Sequence, residues 1–140
     1  MPTRIAYWGP TGIIAAWALF AGFTYLTNAP QSIENFRHVG YPQQLRVLLG
    51  IAKVAGAIAL IVPRVPTLKE WAYAGFTFTW IAATVAHYVA GDGALVLLPI
   101  MFLTLLGISY VTRPASRRRD LTSIDAGLGR APTPAFGRVA

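Results

Sequence analysis

LLGIAKVAGAIAL, residues 48–60, is apolar at every position except Lys53, and two questions about it decide how the whole chain is read. One is whether the run is long enough to cross a bilayer; the other is what a lone ammonium group does near its middle. Extended outward, the run reaches from about Pro42 to Val62, close to the 20 or so apolar residues a helix needs to cross a hydrocarbon core about 30 Å thick. Pro42 suits a helix's first turn, where its missing N–H costs nothing. Runs of similar character lie at about residues 8–27, 68–90 and 94–111.

The composition agrees with spanning. Of 140 residues, 55% are hydrophobic and only 12% are charged, about half the charge of a typical soluble domain. The connections are the segment Asn28–Tyr41, the turn PRVPT at 63–67 and GDG at 91–93, and links this short make antiparallel neighbours. The expected fold is therefore all-α: an integral membrane antiparallel four-helix bundle over residues 1–114. Residues 115–140, basic and rich in Gly, Pro and Ala without periodicity, are expected to form a flexible tail. The first run does not read as a cleaved leader, because its apolar stretch is too long and no A-x-A site follows.

Orientation follows from the basic residues, which are retained in cytoplasmic segments near helix ends. With both termini on one side, that side holds Arg4, Arg64, Lys69, Arg113, Arg117, Arg118, Arg119, Arg130 and Arg138, against Arg37 and Arg46 opposite. Both termini are expected in the cytoplasm. Arg113, Arg117, Arg118 and Arg119 are then expected at anionic lipid heads. The net charge of +7 is thereby a membrane signal, and nucleic acid is not the expected partner. The expected partners are the bilayer and another membrane protein chain.

Lys53 lies about 16 Å from the outer end of its span at 1.5 Å per residue, near the midplane. A lysine there costs about 2.5–3.5 kcal/mol and ordinarily turns toward the bundle interior to find a partner. Arg46, Gly50, Lys53, Ala57 and Leu60 share one helix face, and its small residues allow a second helix close. In the third run, Glu70, Tyr73, Thr77, Thr84 and Tyr88 form a polar stripe with His87 at its edge. Glu70 is the preferred counterion of Lys53. Glu34 competes if the first connection folds back as an amphipathic helix led by Ile33, Phe36 and Val39, and Asp92 is the remaining candidate. The candidate polar network is thus Lys53, Glu70, Thr77, Thr84, His87, Asp92 and Glu34. It either fixes helix register or binds an anionic or carbonyl-bearing ligand such as a quinone.

No catalytic set is legible. The chain has no cysteine, which excludes disulfides and thiolate-held clusters. His38 and His87 could meet only at the outer surface, so they are read as interfacial hydrogen-bonding groups, and no metal site or resident cofactor is expected. Tyr7, Trp8, Tyr41, Trp71, Tyr88 and Tyr110 are read as an interfacial aromatic belt, and Trp17 and Trp80 as packing.

The segments LTNAPQSIENFRHVGYP, LLGIAKVAGAIALIVPRVPTLKEWAYAGFTF, AHYVAGDG and LLPIMFLTLLGISYVTRP together resemble the DoxX-like family of small four-span bacterial membrane proteins. The resemblance covers about residues 7–114 and rests on four features in order. These are the GYP turn, the G-x-x-K-x-x-G helix, the P-R-x-P-x-L-K-E-W-A-Y-A-G helix entry and the H-x-x-x-G-D turn. It implies a four-helix bundle and carries the family's polar positions onto Lys53, Glu70, His87 and Asp92. Wider relatives include a thiosulfate:quinone oxidoreductase component and accessory proteins of redox complexes. The resemblance therefore implies a noncatalytic accessory or assembly subunit of a larger complex in the bacterial inner membrane. The alternative is a quinone-linked oxidoreductase component that binds its ligand near Lys53. An interior cavity reaching Lys53 would favour the alternative, and a dry interior the accessory role.

Overall fold

The computed structural model describes residues 2–114 and 117. The expected flexible tail, and with it Arg118 and Arg119, lies outside the described residues. The order of elements is α1 (Pro2–Leu26), α2 (Pro30–His38), α3 (Gln43–Ile61), α4 (Pro66–Ala90), a 3-10 turn (Gly93–Val96) and α5 (Leu97–Val111). Among the described residues there is no strand.

Prolines set three of the starts. Pro30 and Pro66 stand in the first turns of α2 and α4 and Pro42 immediately precedes α3, positions where no N–H is missed. A fourth proline, Pro10, sits inside α1, where it removes the hydrogen bond that Ala6 would otherwise accept. Thr112, just beyond α5, shares its hydroxyl proton between the Ile108 carbonyl one turn back at 2.6 Å and that carbonyl at 3.1 Å. The helix defect thereby becomes a tie between the first and last long helices.

The four long helices pack in a closed ring, α1 on α3 and α5, and α4 on α3 and α5. Their ends alternate. Arg46, at the start of α3, donates to the Tyr25 carbonyl and, at 2.7 Å, to Asn28 at the end of α1, and Lys69, at the start of α4, reaches the end of α3. The α1–α3 contact is close because a Cβ at Gly22 would lie 2.7 Å from Val54 and 3.0 Å from the Gly50 carbonyl. Such small-residue contacts let membrane helices gain dispersion energy where burial from lipid gives little. α2 is the amphipathic segment expected of the first connection, with Phe36 buried and Ile33 and Val39 half-buried.

Three helices are long and apolar enough to cross a membrane, over Arg4–Leu26, Gln43–Ile61 and Gly93–Val111. α4, with 25 residues, has the length but not the apolarity, since Lys69, Glu70, His87 and several hydroxyls dilute it. Phe20, Phe23, Ile51, Ile58, Phe78 and Val85 are exposed on the outer faces. A water-soluble chain would have to cover so continuous an apolar surface, whereas lipid solvates it. Buried Phe76, Trp80 and Phe102 stack in series and the exposed Trp17 continues the stack, with centroids 5.2–5.4 Å apart. Tyr7, expected in the interfacial belt, is fully buried instead.

Candidate functional site

Lys53 is 6% exposed on the buried face of α3 that also carries Arg46, Gly50, Ala57 and Leu60. Its ammonium group lies 5.7 Å from the centroid of the Tyr25 ring and forms no ion pair with any described carboxylate. The expected pairing with Glu70 is not made. Glu70 takes a 2.6 Å hydrogen bond from Arg113, whose guanidinium is packed against Tyr73 and Tyr110. Glu34 pairs with Arg37 at 3.0 Å on the surface of α2. Asp92 accepts from both histidines.

Helix geometry explains the mispairing. At about 100° per residue, Thr77 and Thr79 stand about 200° apart, so the stripe of Glu70, Tyr73 and Thr77 cannot face the same neighbour as Thr79. The stripe lines a groove against α5 with Leu103, Leu106 and Tyr110, while Thr79 stands beside Lys53. Thr77 and Thr84 donate to the carbonyls of Tyr73 and Trp80, each one turn back. Both hydroxyls are satisfied within α4.

What surrounds Lys53 is a cavity of about 380 Å³, within the range of about 300–1,000 Å³ in which small-molecule sites fall. Trp17, Trp80 and Phe102 of the aromatic stack form one wall, and Tyr25, Phe36 and Tyr41 form another. Phe36 comes from α2 and meets Tyr25 edge-on at 5.0 Å, so the short helix contributes to the cavity's lining. Flat aromatic walls with a single cationic donor suit a planar ring bearing a carbonyl or anionic oxygen. The ammonium can donate to that oxygen while the rings stack.

At the outer rim, two turns of the same kind bring three titratable groups together. Gly91, with φ of 76°, ends α4 with bonds from Asp92 N–H to His87 C=O and from Gly91 N–H to Tyr88 C=O. Gly40, with φ of 75°, ends α2 through the same pattern, Tyr41 to Phe36 and Gly40 to Arg37. Each is a Schellman cap that reverses the chain just after a histidine-bearing turn. Asp92 consequently lies 2.5 Å from His38 Nε2 through one oxygen and 2.5 Å from His87 Nδ1 through the other. Hydrogen bonds from His38 first, then His87, hold its carboxyl below the usual carboxylate range. His87 also lines the cavity.

A second buried polar group was invisible in the sequence. Lys69, counted there among the cytoplasmic surface charges, is fully buried and donates to Ala59, Leu60 and Val62 carbonyls at 2.6, 2.8 and 2.5 Å. The signal that could have found it is local. A lysine three residues into a helix, after a turn of four, can reach back to the last carbonyls of the preceding helix. Arg113, expected at the lipid surface, is likewise buried. Arg117 donates to Leu60 and Ile61 and lies over the Trp8 ring at 4.5 Å, so it too is held by the fold. Among the described residues, no three His, Cys, Asp or Glu side chains are grouped to hold a metal ion.

A family model described as the DoxX-like family matches residues 10–109. No curated protein and no solved structure matches the chain.

Proposed function

The chain belongs to the DoxX-like family, and from that membership and the geometry around Lys53 we propose that it is a membrane protein that binds a quinone-class ligand inside the ring of long helices. In this reading α4 crosses the bilayer with the three more apolar helices, its polar side chains turned toward its neighbours, completing an antiparallel four-span bundle. Arg4 and Arg64 are exposed at the end where α1 starts and α3 finishes, and Arg37 at the other. With the basic residues of 115–140, this asymmetry supports reading the termini as cytoplasmic and the chain as a bacterial inner-membrane protein.

One observation carries the reading: a lysine buried near mid-span, without a carboxylate among the described residues, at the edge of an aromatic-walled cavity. A cation left so in a membrane helix is a standing cost, and a ligand oxygen would offset it. Lys53 would donate to the ligand's carbonyl oxygen, Trp80 and Phe102 would hold its ring, and α2 would keep water from the outer end. A quinone brings two-electron redox chemistry when bound. The chain's own contribution is to hold and orient it, as a component of a larger redox assembly.

The test is mass spectrometry of the protein extracted gently from its own membrane, wild type against Lys53→Met. Retention of a quinone by the wild type and its loss from a folded variant is the expected result. If both forms carry no small molecule but the same protein partner, the chain is instead a noncatalytic accessory or assembly subunit.

A further inference from the structure

The space around Lys53 does not stop at the aromatic cavity. A groove of about 250 Å³ runs between α3 and α4, and Lys53 and Thr79 line both it and the cavity. Its floor is made of Ala52, Ala55, Gly56 and Ala59 from α3 and Ala72 and Gly75 from α4. No side chain among these six exceeds a methyl group. Leu68 and Trp71, at 53% and 73% exposure, stand at its outer rim.

Small residues along two helices ordinarily mean that the helices touch. At one level they do, since a Cβ on Gly56 would come within 2.9 Å of the Phe76 ring. At Gly75 they do not, because a Cβ there would meet nothing within 4 Å. The helices are thus in contact at Phe76 and leave open space beside it, and that space is lined by buried Lys53, which pairs with no described carboxylate. An engineered apolar cavity of about 150 Å³ takes benzene, so by proportion this groove has room for a chain of roughly ten carbons.

We propose that the groove holds the apolar tail of the ligand whose head sits at Lys53, so that the site selects an amphipathic, membrane-dissolved molecule with a single long chain. The inference rests on the ligand-binding reading above. The tail leaves the bundle sideways between α3 and α4, past Trp71, and the head does not have to cross water to arrive. Against lipid, a tail in this groove gains packing contacts more than burial, so position is a sharper readout than affinity.

The experiment uses the full-length protein in lipid nanodiscs and a benzoquinone carrying a ten-carbon tail that ends in a photoreactive diazirine. Head binding is read by quenching of Trp17 and Trp80 fluorescence, and tail position by mass spectrometry of the crosslinked peptides. In the wild type, crosslinks are expected on Leu68–Gly75 and on Ala52–Ala59. Gly75→Leu, which fills the groove, should abolish those crosslinks while head quenching stays within twofold of wild type. Gly75→Ala is the milder variant should the leucine impair folding, and it should reduce them severalfold. Lys53→Met should lose head quenching at least tenfold. Wild-type crosslinks at Val39 or Leu98, beside the aromatic cavity, with normal quenching would overturn the tail assignment and leave the ligand reading standing. Absence of quenching in the wild type would overturn both. A shift from dimer to monomer in Gly75→Leu, with crosslinks elsewhere, would make the groove a face between copies of this chain and also overturn the assignment.

Discussion

Two lysines are buried in this protein, sixteen residues apart in sequence, and they are solved in opposite ways. Lys69 is fully buried and has a carbonyl for each of its three N–H bonds. Lys53 is 6% exposed and has an aromatic ring, a cavity and no described carboxylate. The first arrangement is complete as it stands, because the orphan carbonyls at a helix end and the donors of an ammonium satisfy one another. The second is complete only when something else arrives. A buried charge is therefore a pointer to function only after its hydrogen bonds have been counted.

The comparison is broken most directly at Lys69. Lys69→Met should lower stability by about 3 kcal/mol, since it removes three charge-assisted bonds and leaves helix-end carbonyls short of donors. Unfolding followed by circular dichroism in mixed micelles would read it. A loss below about 1 kcal/mol would mean that the carbonyls find water and that the two lysines differ less than their geometry implies.

Lys53→Met should do the reverse. Stability should hold or rise, as an uncompensated charge leaves the interior. Quinone affinity should fall at least tenfold, about 1.4 kcal/mol. If the variant instead melts early and binds as before, Lys53 belongs with Lys69 as a structural group.

Glu70→Gln sharpens the contrast by separating the neighbouring charge cluster from the cavity. It removes the charge that Arg113 pairs with on α4 and should cost about 1 kcal/mol of stability, with no change in ligand affinity. A change in affinity would show that the α4–α5 polar stripe reaches the site after all.

The smallest effect is expected at the rim. The Asp92 carboxyl is held below its ordinary range by His38 and His87. Its contribution is therefore present above the ordinary carboxylate range and is lost as pH falls through the lower folded value. The melting temperature should drop with acid through that interval in the wild type and run flatter in Asp92→Asn. Identical profiles would mean that the histidines hold α2 in place without the charge.

Much of the architecture was legible because it depends on one-dimensional quantities. Run length and apolarity give the long helices of Gln43–Ile61 and Leu97–Val111, and Pro42 gives the start of the first. A period of 3.6 puts Gly50, Lys53 and Ala57 on one buried face. The polar contacts were less legible. Glu70, Tyr73 and Thr77 of the α4 stripe line one groove, but nothing in their spacing says whether that face meets α3 or α5. The difference of about 200° between Thr77 and Thr79 turns one answer into the other. The meeting of His38, His87 and Asp92 joins residues 54 positions apart, and only the fold brings the end of α2 to the turn that follows α4.

By itself, then, the sequence determined that the chain is helical, dissolved in lipid and burdened with a cation near mid-span, because solvation energies are sums over local runs of residues. Which acid pairs with which base, that Lys69 is satisfied and Lys53 is not, and that a cavity of about 380 Å³ opens beside the latter, were decided by the tertiary structure alone. A hydrogen bond depends on distances of a few tenths of an ångström and on which way a face is turned, and both are set only when the helices pack.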